Sequence, residues 1–148
     1  MNDIVKPAQG TVKDGLFFYP VRVYYEDTDA GGIVYYANYL KFSERARTEF
    51  LRMLGIHQQQ HLEECRCGFV VRSCNIEYLA SAVLDDELSI SCCISELGAA
   101  YAVVHQEIYR HDELLSRLDV KVIYMNIETH RPARIPADFV EKFKNFCG

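Results

Sequence analysis

The sequence predicts an α+β fold, an antiparallel sheet with one long helix. Three observations carry this. Four β-rich stretches follow one another after residue 68, with turn residues but no strand–helix crossover between them, so a doubly wound parallel sheet is excluded. One long amphipathic helix pattern precedes them. The chain has 148 residues, 49% of them hydrophobic, which suits a single domain that buries its core without disulfide staples.

The elements follow in order. Residues 1–17, with Pro7, Gly10 and Gly15, read as a flexible leader, with an initial strand near Leu16–Phe18. Residues 18–148 read as one domain. Tyr19–Tyr25 is β-rich, with Val21, Val23 and Tyr25 on one face. Acidic residues, a hydroxyl and paired glycines over 26–32 predict a turn. A helix then runs from Asn38 to Leu54, stopped by Gly55. Tyr39, Phe42, Ala46, Phe50 and Met53 share a face, which Leu40, Leu51 and Leu54 widen. Lys41, Arg45, Thr48 and Arg52 lie mostly opposite. A sheet can wrap such a helix; a surface helix lying on a flat sheet is the alternative.

Residues 56–67 read as a short helix and a loop. Strands are expected over 68–79, 87–97, 100–110 and 115–127. Leu88, Ile90, Cys92 and Ile94 alternate with mostly polar neighbours, as do Leu118, Val120, Val122 and Tyr124. Tyr101-Ala102-Val103-Val104 reads as a more fully buried strand start. Pro136 opens a C-terminal helix ending at Phe143 or Phe146.

Charge and cysteine usage narrow the function classes. Sixteen basic against twenty-one acidic residues give a net charge of -5, which argues against a nucleic-acid binder. Cys65 and Cys67 are one residue apart, and Cys92 and Cys93 are adjacent. Neither pair has zinc-finger or thioredoxin spacing, so these cysteines, with Cys74 and Cys147, read as thiols in a reducing compartment. His57, His61, His105, His111 and His130 form no compact metal-ligand pattern, and no metal site is expected. The N-terminus lacks a basic and apolar signal sequence, and no apolar run approaches membrane-spanning length. A cytoplasmic protein is expected, with peripheral membrane association left open.

The chemistry concentrates at Glu26-Asp27-Thr28-Asp29-Ala30-Gly31-Gly32. A carboxylate in a partly dry loop can activate water or attack an electrophile. The start of the following helix offers unpaired N–H groups to a developing oxyanion. The same turn can also simply cap structure or face water. It has neither P-loop nor dinucleotide-binding spacing.

The run from Tyr24 through Asp27, Asp29, Gly31, Gly32, Tyr36 and Asn38 to Leu40, continued by Phe42-Ser43-Glu44-Arg45-Ala46-Arg47-Thr48-Glu49-Phe50-Leu51, resembles the hotdog-fold acyl-CoA thioesterases. The similarity is strongest to the YbgC-like branch associated with the Tol–Pal envelope system. It extends to the related 4-hydroxybenzoyl-CoA thioesterase branch. The resemblance covers residues 18–142. It implies hydrolysis of acyl-CoA thioesters to CoA and a carboxylic acid, with Asp29 as nucleophile or general base. Tyr36 is implied to polarise the carbonyl through its backbone N–H. Gly31, Gly32, Ile33 and Val34 are implied to shape the turn beside the thioester. YbgC-like members commonly carry histidine where this chain has Tyr36, whereas the 4-hydroxybenzoyl-CoA branch carries tyrosine. A backbone role survives that exchange and an imidazole role does not.

Other residues are expected in supporting places. Tyr25 lines the pocket or packs on a strand. Asn38 caps the helix, bonds within the turn or touches substrate. Glu44 and Arg47, one turn apart, form a supporting salt bridge, fix a dimer interface or position the loop. Arg131 and Arg134 lead the candidates for CoA phosphate contacts, ahead of Arg66, Arg72 and Arg110. No cofactor is required, because CoA is substrate and product. The resemblance also implies a homodimer, often paired into a homotetramer, with active sites at the interface and the acyl group in a tunnel between helix and neighbouring subunit. Acyl carrier protein as a further partner, and a peripheral location at the inner membrane, are left open. An acyl-CoA or acyl-carrier-protein binding module without efficient hydrolysis is the alternative function.

Overall fold

The structure, a computed structural model, describes residues 4–146. Strand β1 is Thr11–Lys13 and β2 is Leu16–Arg22. A single 3-10 turn, Tyr25–Asp27, leads into the loop before helix α1, Asn38–Met53. Helix α2 is Gln58–Cys65. Strands β3 (Cys67–Tyr78), β4 (Glu87–Leu97), β5 (Tyr101–Arg110) and β6 (Glu113–Asn126) follow. A two-residue strand β7, Arg131–Pro132, and helix α3, Ala137–Lys144, end the domain.

The strands form one antiparallel sheet ordered β1-β2-β4-β5-β6-β3, with β7 beside β6. The sheet begins inside the expected leader. Asp14 and Gly15, both at positive φ, close a two-residue hairpin that pairs Lys13 with Leu16. An Asp-Gly pair suits a turn that needs positive φ at both positions. The expected boundary at residue 17 therefore falls within β2. Residues 1–3 and 147–148, including Cys147, lie outside the described residues.

Alternation decides which face is core. On β4, Leu88, Ile90, Cys92 and Ile94 are buried as expected, and so are Leu118, Val120, Val122 and Tyr124 on β6. The start of β5 differs from the expectation. Ala102 and Val104 face inward while Tyr101 and Val103 are half-buried, so this strand alternates like its neighbours. Beyond Arg22 the β-rich run also ends, and Tyr25 belongs to the 3-10 turn rather than to a strand.

Helix α1 lies on β2 and β4. It buries Tyr39, Phe42, Ala46 and Phe50, while Leu40 and Met53 stay 40% exposed. Phe50 anchors the far end, with its ring 5.6 Å from Phe17, 6.5 Å from Phe143 and 5.3 Å from Phe146. Helix α2 is held by His61, whose Nε2 pairs with the Tyr124 hydroxyl at 2.6 Å. Burial pushes the Tyr124 phenol up to about 12. Among the described residues, no three His, Cys, Asp or Glu side chains converge to hold a metal. Among them, too, no helix is long and apolar enough to cross a membrane.

Strand β3 is a twelve-residue edge whose middle is exposed, with Val70 and Val71 at 42% and 50%. A long unpaired edge is a template for another strand. The core makes a direct stability prediction. Phe50→Ala removes a ring that joins α1, β2 and α3, and should lower unfolding free energy in urea by about 3–5 kcal/mol.

Candidate active site

The loop between β2 and α1 is organised by one buried residue, through its carboxylate and its backbone carbonyl. Asp27 is 8% exposed. Its Oδ2 accepts the Tyr24 N–H at 2.8 Å. Its carbonyl accepts the Tyr35 N–H at 2.9 Å and the Asn38 Nδ2–H at 2.9 Å. Strand exit, loop return and first helical residue thus meet on Asp27. Asn38 therefore acts within the turn. Its amide is committed to Asp27 and does not cap α1, whose N-cap is Ala37.

Asp29 is the contrasting carboxylate. It is exposed, and its Oδ1 accepts the Gly31 N–H at 2.8 Å. A tight return is closed by Gly32 N–H to the Asp29 carbonyl at 3.0 Å and Asp29 N–H to the Ile33 carbonyl at 2.9 Å. Gly32 sits at φ +81, where a side chain is strained. The second carboxylate oxygen, Oδ2, has no hydrogen-bond partner among the described residues. One oxygen is fixed and the other is available.

Bridges from Ile33 to Val83, and from Val34 N–H to the Ala82 carbonyl, pin the loop's return arm to the segment after β3. Val34 is 2% exposed and belongs to the core, while Ile33 is exposed beside Asp29's turn. Next comes the helix entry. Asn38, Tyr39 and Leu40 donate their N–H groups to Tyr35, Tyr36 and Ala37 carbonyls. The N–H groups of Tyr36 and Ala37 have no acceptor among the described residues. Two adjacent amides at a helix start form a donor site for negative charge.

An aromatic cluster surrounds these amides. The Tyr35 and Tyr36 rings lie 4.9 Å apart, and the Tyr78 ring meets Tyr36 edge-on at 6.0 Å. The Tyr35 phenol is pushed up by its hydrogen bond with Tyr36, and the Asp29 carboxylate adds to the rise. Tyr36 and Tyr25 are 61% and 82% exposed. Tyr25 thus stands largely in solvent within the single chain.

The expected Glu44–Arg47 salt bridge is replaced by other pairings. Arg47 Nη1 donates to Gln106 Oε1 at 3.0 Å and to Ser43 Oγ at 3.3 Å, and Glu44 accepts from Thr48 Oγ1 at 3.1 Å. The cause is burial. Arg47 turns inward toward Gln106 on β5, and the loss of solvent lowers its pKa. Both residues line an apolar cavity of about 130 Å³ with Leu51, Phe69, Val71 and Val122.

Arg131 and Arg134 are exposed at the opposite end of the sheet. Arg131 pairs with Asn126, which pairs with Cys67 at the start of β3, whereas Asp29's loop is bound beyond the end of β3. Eleven strand steps separate the two ends, on the order of 35 Å. The single chain therefore does not bring these arginines to Asp29. Tyr78 and the organising role of Asp27 were not anticipated from sequence. Asp27 carried a signal, the three-residue spacing to Tyr24; Tyr78 carried none.

The two carboxylates separate experimentally. Asp27→Ala strands the Tyr24 N–H, while the bonds to the residue 27 carbonyl remain, and should cost about 1–3 kcal/mol in chemical denaturation. Asp29→Asn keeps an acceptor for Gly31 N–H, and its unfolding midpoint should match wild type.

Residues 23–143 match the family model described as the thioesterase-like superfamily. The chain is 45% identical over 130 residues to an acyl-CoA thioesterase, YbgC, from Haemophilus influenzae, covering 88% of this chain and 96% of the relative. A probable thioesterase from Bartonella henselae superposes with TM-score 0.78 at 35% identity, covering 82% of this chain and 99% of that one. An aspartate-to-asparagine mutant of 4-hydroxybenzoyl-CoA thioesterase, solved with 4-hydroxybenzoyl-CoA, superposes with TM-score 0.82 at 25% identity over 87% and 99% of the chains. With its wrapped sheet and its Asp29 turn at the start of α1, this chain belongs to the thioesterase-like superfamily, in its hotdog-fold, YbgC-related branch.

Proposed function

We propose that the protein hydrolyses acyl-CoA thioesters to CoA and a carboxylic acid. One observation carries the reading: Asp29 holds a carboxylate oxygen free on the turn that leads to the unpaired Tyr36 and Ala37 amides. The names of the Haemophilus relative and of the complex with 4-hydroxybenzoyl-CoA support the substrate class.

The chemistry follows from the donors and the base. A thioester carbonyl oxygen docks on the Tyr36 N–H, with the Ala37 N–H beside it, and negative charge develops there. Asp29 then takes a proton from an attacking water, or attacks the acyl carbon to give an anhydride that water cleaves. Both routes use the same oxygen. The CoA sulfur leaves with the bonding electrons and acquires a proton from the water consumed. No separate cofactor enters this scheme.

A second copy of the chain belongs to the same reading. Two β3 edges pairing antiparallel across a twofold axis bring the Cys67 end of one strand to the Tyr78 end of the other. That places one subunit's Arg131 and Arg134 on the side of its partner's Asp29, where CoA phosphates need cations. It also lays the cavity beside Leu51 and Val71 along the interface, where an acyl group can lie. The assembly is a homodimer or a homotetramer of two such dimers. Presentation of substrate by acyl carrier protein, Tol–Pal association and a cytoplasmic site peripheral to the inner membrane rest on the resemblance of residues 24–51 alone.

Two variants test the scheme across a panel of aliphatic and aromatic acyl-CoA substrates. Asp29→Asn should lower kcat by about 10²–10⁴. Arg131→Ala with Arg134→Ala should raise KM and leave kcat near wild type. Wild-type turnover by folded Asp29→Asn protein refutes the mechanism.

A further inference from the structure

The amides at the start of α1 can polarise a carbonyl only if their peptide planes are held. The last residue of β3 supplies a hold. The Tyr78 hydroxyl donates to the Tyr36 carbonyl at 3.0 Å. That carbonyl shares its peptide plane with the Ala37 N–H, and its residue carries the other free amide. The only other donor to this oxygen among the described residues, the Tyr39 N–H, is longer at 3.4 Å.

Tyr78 is itself braced from two sides. Its ring packs edge-on against Tyr36 at 6.0 Å and against Tyr39 at 5.5 Å. Tyr39 is buried in the core, and its hydroxyl accepts the Ala82 N–H at 2.9 Å. The Ala82 carbonyl in turn accepts the Val34 N–H at 2.9 Å, just upstream of the amides. The Tyr36 turn is therefore clamped between two anchors, one at the end of β3 and one on the segment that follows it. Burial, with Cys74, Tyr36 and Tyr39 nearby, pushes the Tyr78 phenol up, so it remains a donor at neutral pH. Tyr78 is 43% exposed, and a hydrogen bond in such a place adds little to folding. Its value lies in orientation.

We propose that Tyr78 is a positioning residue for thioester hydrolysis, fixing the Tyr36–Ala37 peptide so that the amides point at the reacting carbonyl. This rests on the reading that those amides polarise the thioester. Tyr78 itself takes no part in bond making. Its hydroxyl acts through the peptide, so it affects the transition state more than substrate binding.

Tyr78→Phe keeps the ring and its packing and removes only the donor. With one neutral hydrogen bond lost, kcat should fall about three- to tenfold while KM stays within about twofold. The unfolding midpoint should stay at the wild-type value. A second measurement reads polarisation without turnover. Acyl-CoA labelled with carbon-13 at the carbonyl, bound to Asp29→Asn protein, should show a carbonyl stretch lowered from its solution frequency. Adding Tyr78→Phe to that protein should return the band toward the solution value. An active wild type matched in kcat by Tyr78→Phe overturns the inference and leaves the thioesterase reading intact. A fall in kcat with an unmoved carbonyl band also overturns it, because the hydroxyl then acts by another route. A wild type inactive on every acyl-CoA tested overturns the reading beneath it.

Discussion

Asp27 ties together three stretches of chain that would otherwise diverge: the exit of β2, the return arm of the loop and the first residue of α1. Its side chain is almost fully withdrawn from solvent, so loss of the Tyr24 N–H would leave a costly carboxylate acceptor behind. Because Asp27 fixes the ends of the loop, the loop's middle is free to be unusual. Asp29 stands two residues on in a tight glycine turn, with one oxygen bound and the other free. The two acidic residues divide the labour, one holding the backbone and one facing the reactant.

The rest of the fold serves that constraint. The sheet curls around α1 because β2, β4, β5 and β6 each turn one apolar face toward it. The buried helix cannot rotate without exposing Phe42 and Phe50, so its N-terminal amides keep their direction. Gln106 on β5 adds a polar lock inside the core. Its Nε2 donates to the Ser43 carbonyl at 2.9 Å and its Oε1 accepts from Arg47. The end of β3 and the segment after it complete the frame through Tyr78, Ala82 and Val83. A rigid helix start facing an exposed carboxylate is an arrangement suited to carbonyl chemistry.

Local pattern made much of this legible in the sequence. The strand at 87–97 is found over the same residues, because one-sided alternation leaves a single register. Helix α1 starts at Asn38 and ends one residue before Leu54 for the same kind of reason. The Asp29 turn was legible as a motif. The remainder depends on turn chemistry near the N-terminus or on contact over long range. Asp14-Gly15 signalled a hairpin within the expected leader. Arg47 lies one helical turn from Glu44, but a partner 59 residues away draws it inward. Tyr78 meets Tyr36 across 42 residues, and no spacing rule reaches that far. The distance between Arg131 and Asp29 follows from strand length and sheet order, which no local reading supplies.

In the proposed reaction Asp29 and the Tyr36 amide face one thioester carbonyl. A crystal structure of folded Asp29→Asn protein with a bound acyl-CoA tests this most directly. The carbonyl oxygen should lie about 3 Å from the Tyr36 nitrogen, with the acyl carbon about 3–3.5 Å from the residue 29 side chain. A thioester seated with its carbonyl away from both groups would contradict it.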